Sequence, residues 1–189
     1  MNVVIVYDHA NPNSFNKAAV DYVCAEFEAR GDVVRIKDLY AEKFNPVLDE
    51  SQLAMQSEGK VPSDVIEEQA IINWADAIVM IYPLWWSGRP AILKGWFDRV
   101  LTNGFAFGFE NGELRGFLSD KRALIVITAG GKRDEIGASD EELVKNTADS
   151  LTFCGISGIK QQVFYSVPEV DDIARMQMLT DIKTMVQSF

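Results

Sequence analysis

Two short segments carry side chains that do chemistry only in the right company. Asp8-His9-Ala10-Asn11-Pro12-Asn13-Ser14-Phe15-Asn16 is dense in short hydrogen-bonding groups and runs straight into an apolar helical pattern. A helix N-terminus offers free N–H groups and the positive end of the helix dipole, so such a loop can hold a phosphate. The plainer alternative is an N-cap by Ser14 or Asn13, with His9 a surface residue. Tyr82-Pro83-Leu84-Trp85-Trp86-Ser87-Gly88-Arg89-Pro90 sets two tryptophans side by side in a loop. Adjacent indoles do not both enter one core easily, but they can cover the face of a planar ring while backbone amides hold its edge. The alternative is a loop that caps the core.

Other chemistries lack their parts. No G-x-G-x-x-G follows a strand, Gly131-Lys132 is followed by Arg133 rather than Ser or Thr, and no G-x-S-x-G is present. A phospho-receiver would need an Asp ending the third strand, where this chain has Tyr82-Pro83. His9, the single histidine, cannot make a metal cluster with Cys24 and Cys154, and both thiols are expected to be free and buried. With no metal site and no protein nucleophile, a bound cofactor is left to do the chemistry.

The elements that must position these loops follow from periodicity. Asn2 to Tyr7 is a β-branched run, and Phe15, Ala18, Ala19, Tyr22, Val23 and Phe27 then recur at helical spacing up to Gly31. Asp32 to Asp38 reads as a second strand, Val61 to Trp74 as a helix, and Asp76 to Tyr82 as a third strand. Pro90 opens a helix running to about Thr102, apolar nearly all round, as a core or subunit-interface helix would be. Arg122 to Thr128, Ser139 to Cys154, Ile159 to Val167 and Val170 to Val186 continue as strand, helix, strand and helix. Five strands joined by long crossovers fit a doubly wound parallel α/β sheet with helices on both faces. Ligands then bind beyond the C-terminal strand ends, which restricts the search to Asp8 to Asn16, Pro83 to Arg89 and Ala129 to Ala138.

Composition supports one domain over residues 1–189, with 48% apolar residues and no linker or repeat. The net charge of -10, from 18 Lys and Arg against 28 Asp and Glu, opposes binding to nucleic acid or anionic lipid. Met1 to Tyr7 lacks the basic lead of a signal peptide, and no apolar run approaches the roughly 18 residues of a membrane span. A cytoplasmic, reduced protein is expected.

Taken together, Tyr82-Pro83-Leu84-x-Trp86-x-Gly88-x-Pro90-Ala91-Ile92-Leu93-Lys94-Gly95-Trp96-Phe97-Asp98-Arg99-Val100, with His9 and Ser14-Phe15-Asn16 upstream and Phe105-Ala106-Phe107 downstream, resembles the NAD(P)H:quinone oxidoreductases of the flavodoxin-like fold. The likeness runs in order from the first strand to about Gly131 and continues more weakly through Phe153-Cys154-Gly155. It implies a homodimeric flavoprotein, with FAD as cofactor and FMN as the alternative, that takes a hydride from NADH or NADPH and passes it to a quinone or similar flat acceptor by ping-pong kinetics. By the same resemblance His9, Ser14, Phe15 and Asn16 hold the flavin phosphates and ribityl chain. Pro83, Leu84, Trp85, Trp86 and Ser87 line the isoalloxazine edge, and Thr128, Ala129, Gly130 and Gly131 approach its pyrimidine side. A flavodoxin-like electron carrier and a flavin-binding regulatory subunit are the alternatives from other functional classes.

The departures bear on the substrate. Well-known members carry Gln at Trp85, Phe at Ser87 and tyrosines at Phe107 and Phe109; their Tyr and His pair has no counterpart in Lys132 to Ala138, and their C-terminal extension is absent. Arg89, Lys132 and Arg133 lie on loops expected to flank the flavin, where they are either solvated or meet a ribose 2′-phosphate. Phe105, Phe107 and Phe109 fall on one side if the segment is extended. An internal hairpin would pack them on the chain's own core, whereas the resemblance implies that Trp86, Phe107 and Phe109 contact substrate, the phenylalanines from the partner subunit.

Overall fold

The structure is a computed structural model that describes every residue from Met1 to Phe189. Along the chain run β1 (Asn2–Tyr7), α1 (Phe15–Ala29), β2 (Val33–Asp38), α2 (Glu50–Ser57), α3 (Ser63–Trp74), β3 (Ala77–Pro83) and α4 (Ala91–Val100). They are followed by β4 (Phe107–Glu110), β5 (Glu113–Gly116), β6 (Arg122–Thr128), α5 (Arg133–Ile136), α6 (Asp140–Phe153), β7 (Ser157–Phe164) and α7 (Asp172–Gln187). Five strands form one sheet in the order β2-β1-β3-β6-β7, every pair parallel. The fold is therefore the flavodoxin-like doubly wound sheet expected from the alternation.

Strand pleating sorts the core into two layers. Val3, Ile5 and Tyr7 of β1 and Ala77, Val79 and Ile81 of β3 face α1 and α7, where they meet Val20, Val23, Phe27, Leu179 and Ile182. Val4, Val6, Ile78, Met80 and Tyr82 point the other way, against Ile72 of α3, Leu93 and Trp96 of α4, and Val144 and Leu151 of α6. Because β1, β3 and β6 are covered on both faces, they read as unbroken apolar runs rather than alternating ones. Each such Val or Ile contributes roughly 1.5–3 kcal/mol by leaving water. No helix is long and apolar enough to cross a membrane.

Four elements, α2, α5 and the paired strands β4 and β5, are not announced by sequence periodicity. In α2 only Gln52 is buried, hydrogen-bonded to the Arg99 carbonyl and to the Arg99 side chain, so no apolar stripe announces the helix. The four-residue α5 is too short for a period. The pair β4–β5 is an antiparallel hairpin turned at Asn111 and Gly112, both at positive φ. The dipeptide Asn-Gly is the usual signature of a two-residue hairpin turn and was the usable signal.

The hairpin corrects the expectation of three phenylalanines along one extended face. Phe105 lies in the turn before β4, and only Phe107 and Phe109 share a strand face. Phe105 and Phe107 pack on the α4 side of the core, Phe107 edge-on to Phe153 at 4.9 Å, while Phe109 is 74% exposed. Neither cysteine is in a disulfide; Cys154 is buried and Cys24 half-buried.

Candidate functional site

A cleft of about 940 Å³ opens at the C-terminal ends of β1, β3 and β6. It lies where the chain order of neighbouring strands reverses between β1 and β3, the place where parallel sheets of this order leave a crevice. Its walls are His9, Asn11, Asn13, Ser14, Phe15 and Asn16 from the first loop, Pro83, Leu84 and Trp85 from the second, and Thr128, Ala129, Gly130 and Gly131 from the third. All three expected loops thus converge. A fourth stretch completes the cleft with Val167, Pro168, Asp172, Arg175, Met176 and Leu179, and nothing in the residue types of that stretch singled it out.

The first loop is built on Ser14. Its hydroxyl caps α1 by accepting from the Lys17 amide at 3.2 Å, and the Asn11 side chain accepts from the Asn13 amide at 2.9 Å. Capping at the third position leaves the amides of Phe15 and Asn16 with no intrahelical acceptor, so the N-cap and an anion-receptive helix end coexist here. His9 Nδ1 is engaged by the Asn11 backbone, 3.0 Å from its amide nitrogen and 3.2 Å from its carbonyl oxygen.

Opposite, Thr128 donates its hydroxyl hydrogen to Asn16 Oδ1 at 2.6 Å. That bond orients the buried Asn16 amide and leaves its Nδ2 without any partner, an orphaned donor in the cleft wall. The Leu84 amide is used by the Thr128 carbonyl at 2.7 Å and that of Ala129 by Phe164 at 2.7 Å. The amides of Gly130 and Gly131 bond to no protein group. A Cβ on Gly130 would meet nothing closer than Pro168 at 4.0 Å, so internal packing does not demand a glycine there.

Trp85 and Gly88 exchange two backbone hydrogen bonds of 3.1 and 3.0 Å, closing a tight turn with Trp86 at φ 50° and Ser87 at φ 56°. Two successive non-glycine residues in the left-handed region store strain, and neither amide has a protein acceptor. Trp85 stays on the cleft wall with its ring 6.4 Å from His9. Trp86, fully exposed, and Ser87 stand at the tip of the turn, outside the cleft lining. Phe107 lines a separate cavity of about 400 Å³ beside α4, and Phe109 lies on the surface. Within one chain neither reaches the cleft.

Beneath the site, Asp8 is fully buried at the end of β1, and both carboxylate oxygens lack a hydrogen-bond partner. Burial, only partly offset by the nearby Leu93 amide and worsened by Asp38, lifts its pKa from 3.8 to about 7. Pro90 gives α4 no side-chain cap, and Asp8 stands beside the buried Leu93 amide in the first turn of that helix.

The chain matches the family described as "Flavodoxin-like fold" over residues 1–186. It is 38% identical to an uncharacterized NAD(P)H oxidoreductase of Haemophilus influenzae, over 95% of this chain and 91% of that protein. It is 32% identical to NAD(P)H dehydrogenase [quinone] 1 of Rattus norvegicus, over 98% of this chain and 76% of the relative. Among solved structures, the NAD(P)H:quinone oxidoreductase from Methanothermobacter marburgensis superposes with a TM-score of 0.86 at 28% identity, covering 98% of this chain and 97% of that one. Sequence, strand order and cleft agree that the chain is an oxidoreductase and belongs to the flavodoxin-like NAD(P)H dehydrogenase (quinone) family.

Proposed function

We propose that the protein is a flavin-dependent NAD(P)H:quinone oxidoreductase and that the flavin is FAD. The observation that carries this reading is a cleft at the β1/β3 switch point whose walls present unused donors: Asn16 Nδ2 and the amides of Gly130 and Gly131. A buried donor without a partner costs about 1–3 kcal/mol, so a ligand rich in acceptors is favoured there. His9 Nε2, Asn11, Asn13 and Ser14 would hold the phosphates, and Asn16 with Thr128 the sugar-alcohol chain. Pro83, Leu84 and Trp85 would wall the ring edge, with the amides of Trp86 and Ser87 as donors. Those of Gly130 and Gly131 would favour negative charge on the pyrimidine side. When bound, the flavin supplies the two-electron chemistry between nicotinamide and quinone. The residues themselves orient, exclude water and tune charge.

FAD is favoured over FMN by the several polar groups at the α1 N-terminus, which suit a pyrophosphate, in a cleft whose lining extends to Asp172, Arg175 and Met176 of α7. Nicotinamide and quinone would share one ring face in turn, giving parallel double-reciprocal lines. The second subunit of a homodimer would bring Phe107 and Phe109 to that face. The test is the purified protein's absorption spectrum followed by chromatography of the released flavin: FAD is expected. FMN alone would overturn the choice of cofactor, and a colourless protein that takes up neither flavin would overturn the function.

A further inference from the structure

We propose that Tyr7, which lies outside the cleft lining, is a positioning residue for the cofactor phosphates and acts through the Ser14 hydroxyl. The inference rests on the flavoprotein reading above. Tyr7 ends β1 and is 1% exposed, its ring packed in the core layer that faces α1 and α7. A large apolar side chain would fill that layer equally well, so the hydroxyl is the part that packing does not explain. It lies 3.3 Å from the Ser14 hydroxyl, its one hydrogen-bond partner.

Counting hydrogens and lone pairs fixes the direction of that bond. A hydroxyl has one hydrogen to donate and two lone pairs with which to accept. Burial pushes the Tyr7 hydroxyl above its ordinary range, with the Ser14 bond opposing, so the phenol keeps its hydrogen. If that hydrogen did not go to Ser14 it would be buried without an acceptor, which is the costlier arrangement. Tyr7 therefore donates and Ser14 accepts. Ser14 Oγ also accepts from the Lys17 amide at 3.2 Å, the bond that caps α1. Both lone pairs are then engaged, and what remains to Ser14 is to donate its own hydrogen, on a residue that lines the cleft.

Two residues on, the same accounting holds. Thr128 donates to Asn16 Oδ1 at 2.6 Å and leaves Nδ2 as an orphaned donor. With the free amides of Phe15 and Asn16, the first turn of α1 thus presents donors to the cleft. A phosphate oxygen only accepts, so such a wall matches it. Without the Tyr7 hydroxyl, Ser14 regains a lone pair, its hydrogen can rotate away, and an oxygen can face the anion instead.

The experiment titrates the flavin-stripped protein with FAD, FMN and riboflavin, read by flavin fluorescence, in the parent, Tyr7→Phe, Ser14→Gly and the double variant. Phenylalanine keeps the ring in the core, and glycine caps a helix almost as well as serine while lacking the hydroxyl. We expect Tyr7→Phe to weaken FAD and FMN at least fivefold and riboflavin, which has no phosphate, less than twofold. In the Ser14→Gly background the same change should cost less than twofold further, because the hydroxyl it orients is gone. Urea midpoints of the flavin-free proteins separate core damage from lost binding. A Tyr7→Phe protein that binds FAD as the parent does, that loses riboflavin as much as FMN, or that carries its full penalty into Ser14→Gly would overturn the inference. Should Tyr7→Phe fail to fold, Tyr7→Leu, which also lacks the hydroxyl, is held to the same fold-changes. A parent that takes up no flavin sinks the flavoprotein reading itself, and this inference with it.

Discussion

Trp85 and Trp86 are neighbours in sequence and opposites in the site. Trp85 forms cleft wall, whereas the left-handed turn throws Trp86 fully into solvent, with its indole free for whatever approaches from outside. Trp85→Ala should therefore lower the flavin retained per chain after dialysis, and Trp86→Ala should leave retention within twofold while raising KM for the acceptor. Absorbance of bound flavin and steady-state kinetics separate the two. Asp8 sets a second expectation at this scale. Its folded pKa of about 7 lies above the ordinary 3.8, so its contribution is intact below pH 4 and is lost as pH rises through 7. Three units correspond to roughly 4 kcal/mol at full ionisation. Asp8→Asn should match the parent in urea midpoint at pH 4 and be the more stable protein at pH 8, the gap growing through the window between.

At the scale of elements, α4 is where packing overrides propensity. Replacing a mid-helix glycine by alanine ordinarily stabilises a helix by about 1 kcal/mol. At Gly95, however, a Cβ would lie 2.1 Å from the Pro46 carbonyl oxygen and 2.4 Å from its Cβ. The segment after β2 is held against α4 by Arg99, which donates to the Asn45 carbonyl at 2.6 Å and pairs with Asp64 at 2.7 Å, so Pro46 has little room to retreat. Gly95→Ala should destabilise by several kcal/mol in denaturant titration. Because α4 begins where the tryptophan loop ends, flavin retention should fall with it. The hairpin is anchored the same way: a Cβ on Gly116 would lie 2.1 Å from the Cys154 and Gly155 backbone.

For the whole molecule, the expected homodimer is the one feature that connects Phe107 and Phe109 to the cleft. Phe109, Trp86, Phe117 and Phe153 are all exposed aromatics, and solvent is a poor environment for so many rings. A mixed dimer with Phe107→Ala and Phe109→Ala in one subunit and a flavin-blocking change in the other distinguishes the arrangements. If the rings act across the interface, both lesions fall on one site and the other keeps full activity. If they act within a subunit, both sites fail. Sedimentation as a monomer at micromolar concentration would remove the arrangement altogether.

Local pattern alone determined the five-strand alternation, the loops at three strand ends and the residues on them. β-branched runs, helix caps and polar loop composition are short-range signals, and they needed no tertiary context: Ser14 does cap α1 and the three loops do converge. Tertiary structure decided what depends on distant backbone. That Asn16 Nδ2 is an orphan follows from Thr128, over a hundred positions away, taking its oxygen. That Trp86 leaves the cleft follows from a turn whose strain no side-chain pattern announces. The α7 end of the cleft was invisible because Asp172 and Arg175 sit on an ordinary polar helix face, and only strand order brings that face beside the loop after β6.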